Sequence, residues 1–174
     1  EINLFHMKYD VVVAGYTCVD IFPQFNRDIA SADITSLFKP GKLIEIDGMD
    51  FVLGGVVPNT GLAMNRFGRK VCLNGLIGND FIGKMAKEIL DASGISGGFA
   101  ITEEAGTAFS IVLAPPGIDR IFLESPGCNK IFDTSFIDFD AVSESGIFHF
   151  GYPPLLRKFY LDNGRQLTDL FTKV

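Results

Sequence analysis

The sequence has no tryptophan, and only three of its 174 residues are cysteines. Cys18, Cys72 and Cys128 lie far apart, and no two of them form a Cys-x-x-Cys pair. An odd number of isolated cysteines argues against a disulfide framework and is typical of reduced thiols in a cytosolic protein. We therefore expect all three to be packed as small hydrophobic side chains.

Basic residues are also in the minority, with 15 lysines and arginines against 21 acidic residues and a formal net charge of −6. Proteins that bind nucleic acid usually present a basic patch, so this balance argues against a nucleic-acid partner. No apolar run approaches the ~18 residues that span a bilayer, and the chain does not begin with a basic segment followed by an apolar one. These absences favour a cytoplasmic protein without a membrane partner.

Apolar residues and glycines, by contrast, are abundant. Hydrophobic residues make up 47% of the chain, which has 17 phenylalanines and 19 glycines. This composition is typical of a globular protein, and the length fits a single domain with a sizeable core. Bulky aromatic side chains on this scale predict well-filled cores or interfaces.

Strand-like and helix-like segments alternate along the chain. Continuous apolar runs predict buried strands, whereas apolar residues at helical spacing that end at a glycine predict helices. The predicted strands are Tyr9–Gly15, Ile44–Leu53, Val71–Leu76 and Gly146–Gly151, and the predicted helices are Thr60–Phe67, Ile82–Ser93 and Leu155–Val174, the last one broken near Gly164. This order is the signature of an α/β fold with a parallel sheet.

One segment departs from that alternation. Thr107–Ala114 and Arg120–Glu124 are both rich in β-forming residues, and a cluster rich in proline and glycine joins them. This pattern predicts a β-hairpin. A hairpin within an α/β protein is typical of a flap over a binding site.

The stretch that begins with Gly54 and Gly55 is the most informative one for chemistry. Paired glycines let the backbone approach a ligand closely because no Cβ stands in the way. Asn59 follows them, and its side-chain amide both donates and accepts hydrogen bonds, as a hydroxyl-rich ligand requires. The alternative is that Asn59 only caps the helix that follows.

Together with Gly68 and Gly78, these residues resemble the first signature of the PfkB carbohydrate kinases. Val57 and Gly61 depart from that signature. The resemblance implies a ribokinase-like three-layer sandwich, of which residues 1–174 form the N-terminal portion, with half of a mostly parallel sheet and its flanking helices. It also implies a small β-stranded lid built from segments at approximately 17–53 and 105–125.

The resemblance further implies which residues bind the sugar. Asp20 resembles the family's aspartate that binds sugar hydroxyls, and Gly54, Gly55 and Asn59 belong to the signature. Tyr152 lies where family members place another sugar-contacting loop. Judged from the residues alone, the alternative to sugar binding is that Asp20 forms a turn or pairs with a lysine.

Two further residues have open or structural interpretations. Arg120, next to the hairpin turn, has the donors to contact a substrate from the lid, and its alternative is an exposed position on a strand. Asp80 lies in a Gly-x-Asp-x-x-Gly segment that also resembles the family. At the start of a predicted helix it is expected to act as a cap.

The family's late segments, Asn-x-x-Glu and Gly-Ala-Gly-Asp, do not occur in the sequence. The resemblance therefore implies a full-length kinase that uses ATP and Mg²⁺, while this chain carries no catalytic, cofactor-binding or metal-binding residue and is inactive alone. It also implies a homodimer formed through the lid, for which the alternative is a lid that packs on its own domain.

The leading hypothesis is thus the substrate-binding half of a sugar kinase. The alternatives are a nucleoside kinase of the same fold and a non-catalytic sugar-binding module that lacks the ATP half. A dehydrogenase of the Rossmann type is disfavoured because no Gly-x-Gly-x-x-Gly opens any helix.

Overall fold

The computed structural model describes residues 7–26, 34–95 and 98–174. Its strands are β1 (Tyr9–Gly15), β2 (Cys18–Phe25), β3 (Ile46–Gly54), β4 (Val71–Asn74), β5 (Leu76–Gly78), β6 (Ala100–Thr102), β7 (Phe109–Leu113), β8 (Ile121–Ser125) and β9 (Ser145–Gly151). Its α-helices are α1 (Ile34–Leu37), α2 (Val56–Arg66), α3 (Phe81–Asp91), α4 (Phe139–Ser143), α5 (Arg157–Tyr160) and α6 (Arg165–Lys173).

The first sheet is parallel, with the strand order β4-β1-β9. Its middle strand β1 carries Val11, Val12 and Val13, which are almost completely buried. A strand that is covered on both faces needs apolar side chains on both, which explains the continuous apolar run of β1. The α/β prediction is confirmed, as is the burial of the three free cysteines.

The predicted strand Val71–Leu76 is in fact two strands. Gly75 separates β4 from β5, and β5 pairs with β6 in a second parallel sheet. A Cβ on Gly75 would lie 2.3 Å from Thr17 Oγ1, so the chain can bend at this point only because residue 75 has no side chain.

Helix α2 begins at Val56, four residues before the predicted start at Thr60. Pro58 lies in its first turn, where backbone N–H groups make no hydrogen bond within the helix, so the missing N–H of proline costs no such bond. The residue that caps the helix is Gly55, whose side chain cannot form a capping bond. The alternative that Asn59 caps the helix was therefore wrong.

A four-stranded sheet with the order β3-β2-β7-β8 joins segments that are distant in sequence, and we call it the lid sheet. Strand β2 pairs with β3 in antiparallel and with β7 in parallel orientation. Strands β7 and β8 form the predicted antiparallel hairpin.

The predicted C-terminal helix is divided into α5 and α6, after a short 3₁₀ turn at Pro153–Leu155. Gly164, at φ 77°, marks the predicted break. Within the residues that the structure describes, no helix has the length and apolar character needed to cross a membrane.

Candidate functional site

The candidate site lies where the parallel sheet meets the lid sheet. Strand β1 ends at Gly15, which has a φ angle of 130°. A Cβ at this position would lie 2.4 Å from the carbonyl oxygen of Gly151. The carboxyl ends of β1 and β9 therefore approach each other closely. In open α/β sheets, ligands bind outside the carboxyl ends of the strands.

Tyr16 connects the surrounding elements. Its carbonyl oxygen accepts a hydrogen bond from the Val57 N–H (3.3 Å), in the first turn of α2. Its hydroxyl donates to Glu124 Oε1 (2.5 Å) on β8, and its ring centroid lies 6.3 Å from that of Tyr152. Burial, followed by the bond to Glu124, raises the pKa of Tyr16 well above its ordinary value, so the hydroxyl remains a donor.

Asp20 lies inside β2, the strand that follows β1. The Cys18 thiol donates to Asp20 Oδ1 (3.4 Å). Burial and then the charge of Glu124 raise the pKa of Asp20, although the bond from Cys18 acts in the opposite direction. Among the ion pairs recorded for residues 7–26, 34–95 and 98–174, none involves Asp20, so the lysine-pairing alternative finds no support.

The two signature glycines make room for these residues. A Cβ on Gly54 would lie 2.2 Å from Asp20 Oδ2. One on Gly55, which has φ 86°, would lie 2.5 Å from the carbonyl oxygen of Tyr16. The glycine pair thus brings the N-terminus of α2 against Tyr16 and the Asp20 carboxylate, as close backbone approach requires.

Asn59 is exposed in the first turn of α2, and its backbone N–H donates to the carbonyl oxygen of Gly55 (3.2 Å). In the described part of the chain its side-chain amide has no recorded hydrogen bond. The amide is therefore available to a ligand at the end of the helix that abuts Tyr16.

Tyr152 and Arg120 differ in their placement. Tyr152 follows Gly151 with φ 59°, is 49% exposed and lies beside Tyr16. Arg120 lies in the turn just before β8, four residues from Glu124, a backbone separation of about 13 Å if the chain is extended. Its guanidinium group lies 5.7 Å from the ring centroid of Phe122. The structure thus gathers Asp20, Gly54, Gly55 and Tyr152 around Tyr16 and leaves Arg120 at the tip of the lid.

Sequence reasoning missed Tyr16, Glu124 and Asn129. Asn129 is fully buried; its Nδ2 donates to the carbonyl oxygen of Thr17 (2.8 Å), and the Thr17 N–H donates to its Oδ1 (3.3 Å). This two-point contact fixes the link between β1 and β2, and with it Tyr16. No short motif announces such contacts, because Tyr16 and Glu124 are 108 positions apart in sequence.

The site is rich in hydrogen-bond acceptors and carries negative charge. Asp20 and Glu124 each bring a carboxylate, and each carboxylate accepts hydrogen bonds from hydroxyl groups. Within the described ranges, no three or more histidine, cysteine, aspartate or glutamate side chains are grouped so as to hold a metal ion. The arrangement is suited to binding a polyhydroxyl molecule.

Comparison with known proteins identifies the fold. No family model matches the chain. In structure it is similar to the ribokinase of Giardia lamblia (TM-score 0.67, 15% identity, covering 82% of this chain and 44% of that one). It is also similar to the ATP-bound fructokinase of Xylella fastidiosa (TM-score 0.60, 21% identity, covering 82% and 42%). The chain therefore has a ribokinase-like α/β fold with a small lid-like β-sheet, and it matches the N-terminal part of those chains.

In sequence the chain is similar to a curated plant protein, named Probable fructokinase-6, chloroplastic, from Arabidopsis thaliana. The two are 28% identical over 101 residues, which is 56% of this chain and 26% of the relative. The chain thus matches about a quarter of this relative and less than half of each kinase structure compared above.

Proposed function

We propose that this chain is the substrate-binding part of an ATP-dependent sugar kinase, which transfers the γ-phosphate of ATP to a sugar hydroxyl. The observation that carries the proposal is the convergence of Asp20, Gly54, Gly55 and Tyr152 around Tyr16, on a ribokinase-like fold. The similarity to a fructokinase over 101 residues points in the same direction.

Each residue has a role in this proposal. Asp20 accepts hydrogen bonds from sugar hydroxyls, and the Asn59 amide both donates and accepts. Gly54 and Gly55 allow the sugar to approach the backbone, while Tyr152 presents an exposed aromatic ring beside Tyr16. Arg120 enters the proposal only as a contact from the tip of the lid.

The lid sheet would exclude water from the reaction, since water competes with the sugar for the phosphate. The sequence has neither a Gly-Ala-Gly-Asp nor an Asn-x-x-Glu segment, the segments to which the resemblance assigns ATP and Mg²⁺. We therefore expect them to be bound by a further part of the protein, and residues 1–174 alone to be inactive. The proposal also includes a cytoplasmic location and a homodimer formed through the lid.

The test is ATP-dependent phosphorylation of free hexoses, pentoses and ribonucleosides by the protein as its gene encodes it, compared with Asp20→Asn. This variant removes a charged acceptor and should lower kcat/KM by about 10–100-fold. Asp47→Asn, an exposed aspartate on β3, is the control that should leave the rate unchanged.

The outcomes separate the alternatives. Turnover of ribonucleosides in preference to sugars would identify a nucleoside kinase. Sugar binding without phosphate transfer would identify a non-catalytic module. Equal rates for the wild type and Asp20→Asn would contradict the proposed site.

A further inference from the structure

A row of polar side chains crosses the lid sheet next to the proposed sugar site. Asp20 on β2 pairs in register with Ser110 on β7, and Ser110 pairs with Glu124 on β8. Partners in register on neighbouring strands lie ~4.8 Å apart and point to the same face of a sheet. The two carboxylates therefore lie on one face, with a single serine between them.

Tyr16 holds Glu124 at that face. Its buried hydroxyl donates to Glu124 Oε1, so the phenol links the body of the protein to the outermost strand of the lid. In the part of the chain that the structure describes, no recorded contact uses Glu124 Oε2. One oxygen of the carboxylate is thus fixed, and the other is available to a ligand.

The charge of this pair is not balanced nearby. None of the ion pairs recorded among the described residues includes Asp20 or Glu124. Arg120 precedes β8, and its guanidinium group lies over the ring of Phe122, 5.7 Å from the ring centroid. A ligand between the two carboxylates therefore meets two negative charges, of which that of the half-buried Asp20 is screened by water less than that of the exposed Glu124.

We propose that Glu124, held by Tyr16, is a specificity-determining residue that restricts the site to sugars without a phosphate or other anionic group facing the lid. This inference rests on the proposed sugar-kinase function. A neutral sugar donates hydrogen bonds from its hydroxyl groups to both carboxylates, whereas the negative charge of a sugar phosphate is repelled by them. Discrimination of this kind works by placing a repulsive group against the wrong ligand.

The test measures dissociation constants by calorimetry for the protein as its gene encodes it, with D-fructose, D-ribose and their monophosphate esters as probes. Glu124→Gln keeps an oxygen acceptor for the Tyr16 hydroxyl and removes only the charge. It should improve binding of at least one phosphate ester, relative to the free sugar, by about tenfold or more, with the gain shrinking at high salt.

Two further variants sharpen the test. Tyr16→Phe releases Glu124 without removing its charge, so it should weaken binding of the free sugar while the phosphate esters stay rejected. Glu88→Gln removes one exposed carboxylate from α3 and is the charge-matched control, which should change neither constant.

Three results would overturn the inference. An unchanged ratio between esters and free sugar in Glu124→Gln would exclude Glu124 as the source of discrimination, while the kinase function would stand. Loss of free-sugar binding in that variant would make Glu124 essential for the sugar itself. A wild-type protein that binds no sugar at all would remove both the inference and the proposed function.

Discussion

Gly54 is a single position where a missing side chain determines the geometry of the site. Its φ angle lies outside the left-handed region, so the backbone conformation there accepts alanine, unlike that of Gly55 at φ 86°. The constraint comes only from Asp20, whose Oδ2 would lie 2.2 Å from a Cβ on residue 54. A methyl group there must therefore displace the carboxylate.

We predict that Gly54→Ala lowers sugar affinity by about 10–100-fold, the loss expected when a charged hydrogen bond is broken. The matched control is Gly48→Ala on the same strand, where a Cβ would meet no atom within 4 Å. Titration calorimetry measures the affinity, and thermal unfolding shows whether each variant folds. Equal affinities for the two variants would mean that the Asp20 carboxylate does not contact the sugar.

Among the helices, α3 shows how an element is tied to the lid sheet. Asp80 caps it as predicted, accepting a hydrogen bond at Oδ1 from the Gly83 N–H (2.7 Å). The same carboxylate accepts from the N–H and the hydroxyl of Thr107, each at 2.7 Å, just before β7 begins. One side chain therefore ties the start of α3 to a strand of the lid sheet.

We predict that Asp80→Ala lowers the free energy of unfolding by about 1–3 kcal/mol, because it removes a cap and leaves buried donors without a partner. Asp91→Ala, in an exposed i,i+4 pair with Lys87 at the other end of α3, should lower it by less than about 0.5 kcal/mol. Denaturant unfolding of both variants measures the difference. A loss in Asp80→Ala no larger than in Asp91→Ala would contradict the linking role.

The effect of Asp80→Ala should also depend on pH. Burial alone would raise the pKa of Asp80, but the hydrogen bonds from Thr107 and Gly83 outweigh it, and the pKa lies below its ordinary value. A depressed pKa means that the folded state favours the carboxylate, so its stabilising effect is complete above about pH 4. The wild type's advantage over Asp80→Ala should shrink as the pH falls below that value.

The elements differ in how far the sequence predicted them. Local signals were enough for β1, with its continuous apolar run, and for the β7–β8 hairpin, with its turn residues. They failed where tertiary contacts decide. The start of α2 at Val56 depends on the left-handed Gly55, and the break at Gly75 depends on Thr17.

The same distinction applies to the site. Asp20, Gly54 and Gly55 could be proposed from the sequence because each lies in a short segment that resembles the family's pattern. Tyr16 and Glu124 meet only after four strands from distant segments have paired. A single sequence does not specify that register, so sequence analysis did not predict that Glu124 supplies the second carboxylate of the site.

At the scale of the whole molecule, the lid sheet has two unlike faces. The row with Asp20, Ser110 and Glu124 lies on one face. The neighbouring row alternates to the other face and is apolar throughout, with Phe51, Ile21, Ile111 and Leu123 paired in register. Phe51 is 41% exposed and Leu123 is 52% exposed, so this face lies partly open to solvent.

An exposed apolar sheet face of this kind marks an interaction surface. A second copy of the lid would cover it with an identical surface, as a two-fold symmetric interface requires. We therefore predict that Leu123→Glu shifts the protein as its gene encodes it from dimer to monomer, since pairing would bury the new charge. Sedimentation velocity over a range of concentrations measures the shift.

Leu43→Glu is the control for that experiment, because Leu43 is 92% exposed and precedes β3, outside the lid sheet. It adds the same charge and should leave the dimer intact. The Leu123→Glu variant also separates the two functions proposed for the lid, since Leu123 and Glu124 point to opposite faces of β8. A Leu123→Glu monomer that still binds sugar would assign the apolar face to assembly and the polar face to the substrate. A wild-type protein that sediments as a monomer at every concentration would contradict the dimer.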